Sequence, residues 1–300
     1  MKKILLLAAL LSTSSVYAQN TTANAKKEVQ RPQKEWKVGG TTGINMSQVT
    51  LSNWAAGGDN SIAGNAFANV YANYSHEKII WGNKLDVGYG LIRKGSSGQE
   101  KTEDRIDLLS SFSRQIKDSR WYYTGLLNFR TQFADGFDLK GDDPTKRIST
   151  FMAPGYLEFS AGTTYIIKDL FSLYLGPIAT KTTFVMDDEL SNQGAFGVQK
   201  GDNYRFEVGA NVRFQFKKDV AKNVTFQLNG NFFSNYRENP QNIDVNLDAL
   251  LDLKVNDWLS ANISVQTIYD DDIKINDMGP RLQYKHVMAI GLVYKFKNHQ

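Results

Sequence analysis

Residues 203–216, NYRFEVGANVRFQF, sort by side-chain character into two faces. Tyr204, Phe206, Val208, Ala210, Val212, Phe214 and Phe216 fall on one face. Arg205, Glu207, Gly209, Asn211, Arg213 and Gln215 fall on the other. A β-strand points successive side chains to opposite sides, so this is a strand with one apolar and one polar face. The same period continues in 224–234, 244–255 and 259–269, and earlier in 81–91 and 121–133. Weaker segments bring the set to about twelve: 36–47, 63–74, 80–92, 104–116, 121–133, 155–166, 171–185, 203–216, 224–234, 244–255, 259–269 and 282–296. Each is about eleven to fifteen residues long, against about five to six for a globular strand and about nine to eleven for a tilted membrane strand.

The connections alternate. HEKI, KDSR, IKDL, KKDVAKN and NDW are short, whereas QVTLSNWAAGGDNSI, RKGSSGQEKTE, ADGFDLKGDDPTKRISTFMAP and DDDIKINDMGP are long and rich in Gly, Asp and Asn. Short turns at one end and long loops at the other are expected of an outer-membrane barrel, with both termini on the periplasmic side and an even strand count. Trp36, Trp81, Trp121 and Trp258 each open a segment just after a short turn or the tail, and Phe171 takes that place in another. Amphipathic rings at one level are what a membrane interface selects. The fold expected is therefore all-β, an antiparallel up-and-down transmembrane barrel over 36–300. A soluble periplasmic sandwich would use the same alternation with its polar faces outward; strand length, loop alternation and tryptophan register weigh against it. Pro177, after Gly176, interrupts a ladder and predicts a bulge.

The ends agree. Residues 1–18 read as a signal peptide: Lys2 and Lys3, a short apolar run over 4–11, and Val16-Tyr17-Ala18 at the cut. Residues 19–35 are polar, a flexible tail. No later run is apolar enough for a membrane helix. A mean hydropathy of −0.40 does not oppose a barrel, because alternating strands average out. The last strand ends in Gly291, Tyr294 and Phe296, which resembles the C-terminal signal read by the barrel-assembly machinery, although KNHQ comes after the Phe and Ile290 precedes the Gly.

The chain has no cysteine, three histidines and a net charge of +4. That excludes disulfides and thiolate chemistry, and gives no case for nucleic acid. No histidine spacing fits a metal, so no cofactor is expected. A lipid hydrolase would need His286 with a serine on the lipid face. The acidic strings Asp142-Asp143, Asp187-Asp188-Glu189 and Asp270-Asp271-Asp272 read as solvated loop charge before they read as Ca²⁺ sites.

The face expected inward carries Lys84, Arg130, Arg205, Arg213 and Lys254, with Asp86, Asp107, Glu158, Glu207, Asp244, Asp248 and Asp252. The near-neutral balance predicts no strong ion selectivity. The basic segment 203–216 and the acidic segment 244–255 would set up a transverse field that could orient a small polar solute. Barrels of about eight strands are filled and those of about sixteen hold a channel, so twelve leaves pore and plug both open. In the string 53–61, NWAAGGDNS, Trp54 either contacts a ligand or holds the loop at the barrel mouth.

That string, with NKLDVGYG at 83–90, EDRIDL at 103–108 and APGYLEFSAG at 153–162, resembles an uncharacterised outer-membrane family common in Bacteroidetes. The resemblance covers nearly all of the chain after the signal peptide. It implies an outer-membrane location in contact with lipid and lipopolysaccharide, and it implies no activity. The function expected is a passive channel or small-solute transporter. The alternative is a structural or surface-interaction protein acting through its long loops.

Overall fold

The computed structural model describes residues 35–50, 60–95, 98–138, 144–270 and 281–298. The signal peptide, the tail up to residue 34, residues 53–59 with Trp54, the Asp142-Asp143 and Asp271-Asp272 pairs and His299 lie outside these residues.

Twelve strands close into one barrel: β1 (Glu35–Val49), β2 (Ser61–His76), β3 (Ile79–Lys94), β4 (Gln99–Gln115), β5 (Trp121–Thr131), β8 (Gly155–Ile167), β9 (Phe171–Phe184), β10 (Tyr204–Ala221), β11 (Val224–Asn235), β12 (Ile243–Lys254), β13 (Leu259–Tyr269) and β14 (Gln283–Lys297). Each pairs antiparallel with its neighbours in the chain, and β14 pairs with β1 to close the ring, Gly43 opposite Val293. Between β5 and β8, the two short strands β6 (Gly136–Phe137) and β7 (Arg147–Ser149) form a separate hairpin. A six-residue helix, α1 (Asp188–Gln193), lies between β9 and β10.

Closure pairs every strand edge, which is what hydrocarbon demands of a backbone. The side chains are arranged inside out relative to a soluble protein. Ile44, Leu85, Phe112, Phe159, Ile178, Phe206, Met288 and Leu292 point outward and are exposed. Asn45, Asn128, Glu158, Lys181, Glu207 and Asn211 point inward and are buried. The sandwich alternative fails on this arrangement. A compact apolar cluster does exist, but outside the barrel wall: Ala153, Val185, Leu190 and Val198 pack together in the two long connections flanking β8 and β9.

Strand order and antiparallel pairing are as the alternation predicts, and the bounds differ most at two places. The connection expected to be long between 92 and 104 shrinks to residues 95–98, because β3 and β4 continue pairing past the apolar stretch, with Arg93 opposite Gln99. Its residues are polar because that hairpin reaches beyond the hydrophobic belt. At the other end β10 runs through KKDVA to Ala221, leaving Lys222 and Asn223 as the turn. Asn223 takes a positive φ of 62°, and Glu77, Lys117 and Asp169 also have positive φ in three of the other short turns. Tight reversals need that region, which asparagine tolerates better than most residues.

One irregularity decides what faces the lumen. On β9, Ile178 lies opposite Ala161 and Leu175 opposite Thr163, so β9 spends one extra residue at Gly176-Pro177. The same shift recurs against β10, between Gly209 and Asn211. A bulge of one residue reverses the phase of alternation. Before it Ser172 and Tyr174 share the inward face, and after it Ala179, Lys181 and Thr183 do. Gly162 and Gly209 flank the bulge, where a Cβ would overlap the carbonyl oxygens of Leu175 and Ser234.

Candidate functional site

The barrel interior is the only region where charged groups from many strands converge among the described residues. On the wall built by β5 and β8 to β10 they are packed. Lys181 of β9 is almost wholly buried. Its Nζ lies 2.7 Å from Asp244 of β12, 3.5 Å from Asp270 just past β13, and 4.0 Å from Glu207 of β10. Two strands, β10 and β11, separate Lys181 from Asp244 in the wall, so that ion pair spans part of the interior. The ring centroids of Phe233 and Tyr156 lie 5.4 and 6.0 Å from the same ammonium.

Deeper in the lumen, Arg213 of β10 pairs with Glu158 of β8 and donates to Oδ1 of Asn128 on β5 at 3.0 Å. Asn128 donates in turn to Asp107 of β4 at 2.6 Å. Arg130 stacks its guanidinium 4.9 Å from the Tyr156 centroid, within the electrostatic reach of Asp107, Glu158 and Asp248. Arg205 bonds Glu207 of its own strand at 2.9 Å. Below this layer a row of hydroxyls joins strands: Ser113 with Thr124 at 2.9 Å, Thr124 with Thr164 at 2.7 Å, and Tyr174 to Ser160 at 2.8 Å.

On the opposite wall the charged side chains are more exposed. Lys84 bonds Asp86 at 2.6 Å on β3, and Asn69 donates to Asp86 at 2.6 Å. Lys285 of β14 reaches Glu103 of β4, where Arg105 also approaches Glu103 at 3.7 Å. Lys295 lies 3.6 Å from Asp252, which accepts from Ser260 at 3.0 Å. Asp248 stands in the electrostatic field of Arg105, Arg130 and Lys84. At the short-turn end Lys254 bonds Asp257 at 2.5 Å, and this hydrogen bond holds the Asp257 carboxyl below its ordinary range.

The pairing differs from a simple opposition of a basic and an acidic strand. Arg205 and Arg213 of β10 are matched by Glu207 and Glu158, while Asp244 of β12 engages Lys181 of β9. Lys181, Arg105, Glu103, Lys285, Lys295 and Asp270 were not among the residues expected from sequence. Only the bulge at Pro177 signals that Lys181 turns inward.

The aromatic set sits at the short-turn end. The Trp36 centroid lies 5.8 Å from Trp81 and 5.3 Å from Tyr74, and Trp121 lies 5.2 Å from Tyr165. Trp258 is exposed and Phe171 half-buried. At the seam, Asn45 occupies the space where Gly291 would carry a Cβ, and donates to Asn65 at 2.8 Å. Tyr294 and Phe296 stack on the outer face with centroids 6.3 Å apart.

His286 faces outward on β14 opposite Val265. Ser260 and Ser264 of β13 and Ser47 of β1 alternate onto the inward face, so none of them is presented to His286. Of the acidic strings, Asp187 caps α1 by accepting from the backbone N–H of Leu190 at 2.9 Å, and it pairs with Arg147 at 2.5 Å. No group of metal-binding side chains occurs among the described residues.

These features define a closed barrel with an apolar exterior and a charged interior. Residues 46–137 match the family model described as Protein of unknown function (DUF3078), and residues 161–296 match Protein of unknown function, DUF481. No curated protein matches in sequence. Among solved structures the chain is similar to an outer-membrane channel from Pseudomonas putida F1, at 8% identity over 87% of this chain and 95% of that one, with a TM-score of 0.42. It is also similar to the translocator domain of the autotransporter NalP from Neisseria meningitidis, at 11% identity over 89% and 90% of the two chains, TM-score 0.38. The CymD monoaromatic hydrocarbon channel is similar at 12% identity over 89% and 90%, TM-score 0.37.

Proposed function

We propose that this protein resides in the bacterial outer membrane and passes small polar solutes through one side of its lumen. The observation that carries this reading is the difference between the two walls. Lys181, Glu207, Glu158 and Asn211 are sealed in ion pairs and hydrogen bonds along β8 to β10. Lys84, Arg105 and Lys285 also face inward but keep much of their side chains exposed. Inward exposure means water, so the second wall borders a hydrated path while the first narrows it. Lipid and lipopolysaccharide meet the apolar exterior, and the C-terminal Gly291, Tyr294 and Phe296 are offered to the assembly machinery.

The test is single-channel recording in a planar bilayer, on protein shown to be folded by its heat-dependent gel shift. Discrete steps are expected, smaller than those of a sixteen-stranded porin measured beside it, because the packed wall takes up part of the section. Silence from a folded barrel would overturn the reading. It would favour instead an interaction role for the long-loop end, where Phe133, Phe151 and Met186 are exposed around the Ala153, Val185, Leu190 and Val198 cluster.

A further inference from the structure

We infer that the hydrated side of the lumen favours anions, so that the solutes taken are small carboxylates or phosphates. This rests on the channel reading above. The near-neutral count of lumen charge conceals how the charges are presented. In the Lys84–Asp86 pair the cation's side chain is 47% exposed and the carboxylate 16%. For Lys285 and Glu103 the figures are 39% and 21%, and for Lys295 and Asp252 they are 48% and 25%. Arg105 is 38% exposed and shares Glu103 with Lys285, so two cations meet one carboxylate there.

The cause lies in the wall. Asp86 is drawn back by the Asn69 amide and Asp252 by the Ser260 hydroxyl, both neutral donors on adjacent strands. A carboxylate is short and accepts such bonds close to its own backbone. The longer lysine stems carry their ammonium groups past it into the water. A permeating ion therefore meets the positive end of each pair first. The groups are spread along the path: Lys285 near the long-loop end, Arg105 and Lys84 between, and Lys295 near the short-turn end. Asp248 and Asp107 oppose them from the same inward face; Asp107 accepts from Asn128, and Asp248 stands in the field of Arg105, Arg130 and Lys84. Rings and rows of one sign at the water surface of a pore set selectivity, because the field in a low-dielectric tube is focused along the axis.

The experiment is the reversal potential of the folded protein in a bilayer under a tenfold KCl gradient, for the wild type and for a Lys84→Gln, Lys285→Gln double variant. Both side chains are part-exposed, so the variant is expected to fold. Chloride is expected to permeate more readily than potassium, giving a reversal potential of the sign set by the chloride gradient, and the double variant to fall toward equal permeability. Equal or cation-favouring permeability in the wild type would overturn this inference while leaving the channel standing. Absence of conduction would remove the channel and the inference together.

Discussion

Lys181→Met is expected to destabilise the folded barrel by about 3–5 kcal/mol, the cost of removing one partner from a buried ion pair. The ammonium sits among Asp244, Asp270 and Glu207 with almost no solvent. Without it, Asp244, Asp270 and Glu207 lose a shared cation in a buried corner, although Glu207 keeps its bond from Arg205. The sign of the change is diagnostic. If β9 alternated strictly from Phe171, Lys181 would face lipid, and a lipid-facing lysine costs about 2–4 kcal/mol at the bilayer midplane. Its replacement by methionine would then stabilise. Urea unfolding of the barrel in detergent or liposomes, monitored by tryptophan fluorescence, separates the two. A double variant, Lys181→Met with Asp244→Asn, is expected to recover part of the loss. A single variant as stable as the wild type, or more so, would place Lys181 outside the lumen.

Ile178→Arg tests the same bulge from the other side. Ile178 is exposed on the outer face near the middle of β9, one residue after Pro177. An arginine there is expected to cost about 2–4 kcal/mol, because the guanidinium lies in the hydrocarbon. It should show as a lower urea midpoint and a smaller folded fraction on insertion into lipid vesicles. An arginine tolerated without loss would mean that residue 178 looks into the polar lumen and that the phase of β9 is wrong.

Much of the architecture is legible in the sequence because a barrel wall is a local code. Each strand carries its own two faces, and 203–216 can be read without reference to any neighbour. The site is less so, for two physical reasons. A bulge adds one residue and reverses inside and outside for the rest of the strand, which hid Lys181 behind Pro177. Pairing across the lumen is also non-local: Lys285 and Glu103 stand 182 residues apart, and no periodicity links them. On β14 the inward residues include Val287, Ala289 and Val293, so its polar face is too apolar to mark Lys285 and Lys295 as lumen groups. Asp270 lies inside an acidic string that reads as loop, although it sits immediately past β13 and pairs with Lys181. The connection at 93–103 misleads for a related reason. Its polarity suits water, and a hairpin in water can be as regular as one in lipid.

The central claim is that polar faces look into a hydrated lumen and apolar faces look into lipid. The chain contains no cysteine, so single cysteines can be introduced one at a time. The most direct test places them along β13 in liposome-embedded protein and measures reaction with a charged, membrane-impermeant maleimide. Asn262, Ser264 and Gln266 are expected to react once replaced, while the positions of Ala261, Ile263 and Val265 stay protected by lipid. Reaction at the odd positions and protection at the even ones, or no alternation at all, would contradict the barrel as described.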